Sequence, residues 1–91
     1  MPQDIGQTPM TRHARERCQQ RSIPEEIIDL LLDFACSTYC GNGCERYAFC
    51  RRSWRKAAQA LGKNVASMEH FRHAYLVLAG DGSVVTAGWR H

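Results

Sequence analysis

The stretch from Phe71 to His91, FRHAYLVLAGDGSVVTAGWRH, constrains this chain more than any other. Two runs rich in Val, Leu, Tyr and Trp flank Asp81-Gly82, and an Asp-Gly pair supplies the positive φ angles of a type I′ turn. An antiparallel hairpin is predicted. With Asp81 and Gly82 as the turn, Gly80 faces Ser83, Val77 faces Thr86, Tyr75 faces Gly88 and His73 faces Arg90. Alternation then gathers Ala74, Leu76, Leu78, Val85, Ala87 and Trp89 on one apolar face, which must be the core face. The opposite face carries His73, Tyr75, Val77, Ala79, Val84, Thr86, Gly88 and Arg90, and is polar and cationic at its outer end. Chemistry is expected on that side. A slip of one residue would exchange the two faces.

Upstream, Thr8 or Thr11 can cap a helix running to about Gln20, with Pro9 acceptable in a first turn. Met10, Ala14 and Cys18 form an apolar stripe at i, i+4, i+8, and His13, Arg17 and Arg21 form the adjacent stripe at the same spacing. A row of one imidazole and two guanidiniums beside a buried seam is either a snorkelling rim around the core or a phosphate site. Pro24 begins a second helix, with Glu25 and Glu26 near its positive end. Ile27, Ile28, Leu30, Leu31, Leu32 and Phe34 cover more than half its circumference, so its role is packing.

Ser37 to Cys40 and Cys44 to Cys50 flank Gly41-Asn42-Gly43, which predicts a second hairpin. A third helix is expected from Arg52 to Leu61, with Trp54, Ala57, Ala58 and Leu61 inward and Gly62 as terminator. Lys63 to His70 is either a short helical turn or a loop, and residues 1–7, with no periodicity, form a flexible tail. The order is α-α-β-β-α-β-β in a single domain over 8–91: an α+β fold with helices on one face of a small antiparallel sheet.

Composition sets the remaining bounds. At 91 residues there is room for one core, and the formal charge is +3. The basic residues are clustered: Arg12, Arg15, Arg17 and Arg21 in one run, Arg51, Arg52, Arg55 and Lys56 in another. Such runs are either solvated helix faces or a surface for a polyanion. No segment reaches the apolar length of a membrane span, and Met1 to Met10 lacks a signal-peptide core, so a cytoplasmic protein with no membrane partner is expected. Five cysteines without an export signal argue against a disulfide framework. The spacing Cys36-x3-Cys40-x3-Cys44 is not the CxxC of zinc knuckles; small buried thiols are expected, with no metal and no cofactor. A zinc-stabilised domain built on Cys36, Cys40, Cys44 and Cys50 is the lesser alternative.

Thr11-Arg-His-Ala-Arg-Glu-Arg, followed by Arg21-Ser22-Ile23-Pro24-Glu25-Glu26-Ile27, resembles the "HAxxR…RGIs…I" start of a family of small bacterial and phage domains. Those domains end in a hairpin reading roughly "VVTxxxR", matched by Val84-Val85-Thr86-Ala87-Gly88-Trp89-Arg90. The family is similar to the RelE/ParE toxins and the wider barnase-EndoU-colicin-RelE fold of metal-independent ribonucleases. The resemblance runs from about His13 to Arg90, and departs from the pattern at Ser22, where glycine is usual, and in the cysteine-rich middle.

That resemblance implies RNA cleavage by attack of the ribose 2′-hydroxyl on its own phosphate. The reaction needs a base, a cation on the pentavalent phosphate and an acid for the leaving 5′-oxygen. By match to the family, His13 would be base or acid, Arg17 and Arg90 would hold phosphate, and Thr86 would hydrogen-bond a phosphate oxygen. The hairpin register adds His73 and Tyr75 as the second proton carrier, and the basic runs add Arg21 and Lys56 as phosphate contacts. The first helix packs on the core side, so His13 meets the far face only around the sheet edge or end. The expected function is a toxin-like endoribonuclease acting on RNA and held in check by an antitoxin or other protein partner. The alternative is a non-catalytic module that binds nucleic acid or protein through the same surface, for example a phage-encoded inhibitor of a host nuclease complex.

Overall fold

The computed structural model describes residues 10–62 and 65–90. The expected tail over 1–7, the alternative cap Thr8 with Pro9, and Lys63-Asn64 lie outside them. The elements run α1 (Arg12–Gln20), α2 (Glu25–Phe34), β1 (Cys36–Gly41), β2 (Cys44–Ala48), α3 (Arg51–Leu61), α4 (Val65–Met68), a 3-10 segment (Glu69–His73), β3 (Ala74–Leu78) and β4 (Val84–Trp89). The strands form one antiparallel sheet in the order β1-β2-β3-β4. This is the predicted α+β architecture. Among the described residues no helix is long and apolar enough to cross a membrane.

Local chemistry accounts for the helix limits. Thr11 caps α1, its hydroxyl oxygen accepting from the Ala14 amide at 3.1 Å. The extended Pro24 opens α2, and Glu25 and Glu26 fill its first turn. Cys50 and Ser53 cap α3 reciprocally, and Gly62 closes it at φ 61°. The helices press Ala14, Cys18, Ile27, Ile28, Leu31, Trp54, Ala57 and Leu61 against Leu76, Val84 and Ala87. Each large aliphatic in that set contributes about 2 kcal/mol by leaving water. Phe49, nearly fully buried, meets Trp54 edge-on at 5.0 Å.

The hairpin pairing of Val77 with Thr86 and Tyr75 with Gly88 is observed, and the Arg90 amide donates to the His73 carbonyl. The turn differs from expectation. Ala79 and Ser83 close a three-residue loop, Gly82 alone takes positive φ, and the Asp81 carboxylate accepts from the Ser83 amide and hydroxyl. The register then shifts, so Val84 rather than Val85 pairs with Leu78. Val84 is fully buried and Val85 only partly, which corrects the expected core face at that position. The type I′ geometry belongs instead to the other hairpin, where Asn42 and Gly43 have φ of 56° and 76°.

The cysteines also differ from expectation. Cys18 is buried, but Cys36 and Cys40 are exposed on the edge strand β1, which has little packed upon it, Cys50 is exposed at the cap of α3, and Cys44 is half-buried. Among the described residues no three His, Cys, Asp or Glu side chains gather as a metal-binding group would require.

Candidate functional site

With the helices on one side, the other face of the sheet presents Thr38 from β1, Arg46 and Ala48 from β2, Tyr75 and Val77 from β3, and Thr86 and Gly88 from β4, followed by Arg90. At the Arg90 end the face sinks into an open concavity of about 650 Å³ lined by Arg21, Arg46, Tyr75, Trp89 and Arg90. None of the lining residues is acidic. Among the described residues none of these three arginines is ion-paired.

Each side chain arrives by a different route. Arg46 stands opposite Val77 and leans diagonally onto Tyr75, its guanidinium carbon 4.8 Å from the ring centroid. Arg21, just past the end of α1, crosses the free edge of β4, where its Nη1 donates to the Ala87 carbonyl at 3.1 Å. Trp89 returns the contact, its indole N–H donating to the Arg21 carbonyl at 3.0 Å. Gly88 leaves room above β4 for both Arg21 and Tyr75. A Cβ there would lie 2.7 Å from Arg21 Nη1 and 3.1 Å from the Tyr75 hydroxyl, so any side chain would occupy the space the two groups use.

Arg90 is the most firmly held. Its Nη2 donates to the carbonyls of Phe49 at 2.8 Å and Arg72 at 3.1 Å, while its Nε is buried with no acceptor. Two carbonyls fix the plane of the guanidinium and leave Nη1 without a partner among the described residues. Arg90 is also a shared wall: a second concavity of about 260 Å³ is lined by Phe49, Cys50, Arg51, Trp54, Arg72, His73 and Arg90. His73 is exposed at its rim, with Nε2 accepting from Arg72 Nε at 3.4 Å.

Of the residues expected from the sequence, Tyr75, Arg21 and Arg90 converge in the larger concavity, and His73 joins Arg90 in the smaller. Thr86 lies on the same face, half-buried beside Val77, and does not line either. His13 and Arg17 remain on the α1 surface, where Arg17 Nε donates to His13 Nε2 at 3.3 Å and Nη1 approaches Gln20 at 3.5 Å. At 1.5 Å per residue His13 begins about 12 Å along the helix from Arg21, so the stripe points at the concavity but only its last member enters. Lys56 is exposed on α3 and lines neither concavity.

Arg46, Trp89 and Gly88 were not singled out in the sequence. Arg46 has the parity of Ala48, but only the pairing of β2 with β3, two strands separated by α3 and α4, brings it beside Tyr75. Trp89 has core parity, and its stacking on Phe71 at 5.6 Å and near His70 at 5.9 Å holds it at the rim. No protein-family model, curated protein or solved structure matches the chain.

Proposed function

We propose that this chain is a toxin-like, metal-independent endoribonuclease that grips RNA through its phosphates. The observation that carries the reading is a phenol, Tyr75, set among Arg21, Arg46 and Arg90 in an open concavity without a carboxylate. Guanidiniums free of acidic partners favour an anion, and their forked donors suit phosphodiester oxygens. Tyr75 and Trp89 add aromatic surface on which a base can stack. The resemblance of the terminal motifs to a family of small domains that is itself similar to the RelE/ParE group supports the same reading.

In the proposed reaction the ribose 2′-oxygen bonds to phosphorus and the bond from phosphorus to the 5′-oxygen breaks. The His73 imidazole takes the 2′-hydroxyl proton, and the Tyr75 phenol gives its proton to the departing 5′-oxygen. Arg90, shared between the hollows that hold these two groups, bears the charge that builds on the phosphorane, with Arg21 and Arg46 on the flanking phosphates. Cleavage of end-labelled RNA in excess chelator tests this. Products ending in 2′,3′-cyclic phosphate support it, and RNA left intact while still bound refutes the catalytic part.

A second reading has its own observation. His13 lies outside both hollows and His73 stands only at the rim of the smaller one, which favours a non-catalytic module that binds RNA through the same arginines. Salt-sensitive binding with no cleavage is its signature.

A further inference from the structure

Cys36 opens β1 and Cys50 precedes α3, and the fold brings their Sγ atoms within 3.0 Å of each other on an exposed surface. The two thiols are not equivalent. Cys50 is the cap of an eleven-residue helix, its sulfur accepting from the Ser53 amide at 3.5 Å in the field of the helix N-terminus. Hydrogen bonds from the Cys36 thiol and from Ser53 draw the Cys50 thiol down to about 6, while the same contact pushes Cys36 up. The contact thus favours the thiolate on Cys50 and the thiol on Cys36. A further concavity of about 540 Å³ opens in front of both, lined in part by Arg46 and Arg90.

We propose that Cys36 and Cys50 form a redox site that hydroperoxides convert, reversibly, into a disulfide. The Cys50 thiolate attacks the terminal oxygen of the peroxide. An S–O bond forms, the O–O bond breaks, and the departing alkoxide or hydroxide takes a proton from water, leaving Cys50 as a sulfenic acid. The Cys36 sulfur then attacks the Cys50 sulfur; the S–S bond forms, the S–O bond breaks, and hydroxide leaves with the Cys36 proton as water. Two electrons have passed from the dithiol to the peroxide, and two equivalents of a small thiol return them by exchange. Closure needs the sulfurs to approach by about 1 Å, since a disulfide bond is about 2.05 Å long. The bond would join the edge strand β1 to the start of α3, one residue from the Phe49 carbonyl that holds Arg90.

The test uses the full chain, freed of reductant, treated with one equivalent of hydrogen peroxide, alkylated and digested for peptide mass analysis. The site predicts a cross-linked Cys36–Cys50 peptide, alkylated Cys18, Cys40 and Cys44, and full reversal by dithiothreitol. In Cys36→Ser the reaction should stop at a sulfenic acid on Cys50, captured by a cyclic diketone. Alkylation of both Cys36 and Cys50 after peroxide, or oxidation falling first on Cys40 or Cys44, would overturn the proposal. Because the unsubstituted chain carries the first arm, a poorly folding variant does not decide the outcome.

Discussion

Arg21 follows the last turn of α1 on the helical side of the sheet, yet its guanidinium reaches the Ala87 carbonyl on the edge of β4 at 3.1 Å. The other end of the same helix is tied to the same strand, because the Thr11 amide donates to the Val84 carbonyl. From Thr11 to Arg21, ten steps of helix rise about 15 Å, and the five steps of strand from Val84 to Trp89 about 17 Å, so α1 runs nearly the length of β4 and covers an edge that would otherwise invite a second chain. Edge protection and delivery of a cation to the open face are one arrangement.

That arrangement makes Gly88→Ala informative. The new methyl would meet the ends of Arg21 and Tyr75, both able to swing away, while a residue with Cβ is favoured in a strand. Stability in urea should change by less than about 1 kcal/mol, whereas RNA affinity falls about tenfold. Equal losses in both would mean that Gly88 serves the fold alone.

Arg90→Ala removes two hydrogen bonds from a cationic donor to the Phe49 and Arg72 carbonyls. Denaturant unfolding should show a loss of about 2 kcal/mol. Arg90→Lys should recover less than half of it, because the lysine ammonium ends short of the position Nη2 occupies and lacks the planar group that aims both of its hydrogens at the two carbonyls.

Ser22 has φ 55°, the left-handed region that costs a residue with Cβ about 1 kcal/mol or more. Ser22→Gly, the residue usual at this place in the resembling family, should raise stability by about 1 kcal/mol in thermal or urea unfolding without altering RNA binding.

Cys50 supplies a pH dependence. Only the thiolate is alkylated, so the rate of Cys50 modification should climb from pH 5 through a midpoint of about 6 and level off above pH 7. Cys36, Tyr39, Cys40, Arg46, Arg51, Arg72, His73 and Arg90 share its two hollows, and the dominant influence among all groups is the Cys36 thiol. Cys36→Ala should therefore move the midpoint upward. Stopped-flow alkylation with mass detection measures both.

Periodicity and turn residues carried the fold because they act over a few residues. The stripes of α1 and α2, the Gly62 stop and the Asn42-Gly43 turn are all local. The shift that exchanged Val85 for Val84 was not visible, since Asp81-Gly82 suits a two-residue turn and a three-residue loop equally, and only the Asp81 to Ser83 bonds select the latter. The site was harder to read than the fold. Tyr75 and Arg90 followed from hairpin parity, but Arg46 depends on a pairing made across α3 and α4, and the entry of Arg21 depends on how α1 lies along β4. His13, the match to the resembling family's histidine, does not line the concavity because its turn of helix lies too far from it.

If Arg21, Arg46 and Arg90 form one phosphate-binding surface, RNA binding releases counterions, and a salt titration reads that release. With a short single-stranded RNA, log affinity against log salt should fall with a slope of roughly −2 for three phosphates. In Arg46→Ala, which leaves the core untouched, the slope should lose about 0.7. Binding that ignores salt, or an Arg46→Ala slope equal to that of the unsubstituted chain, would contradict it.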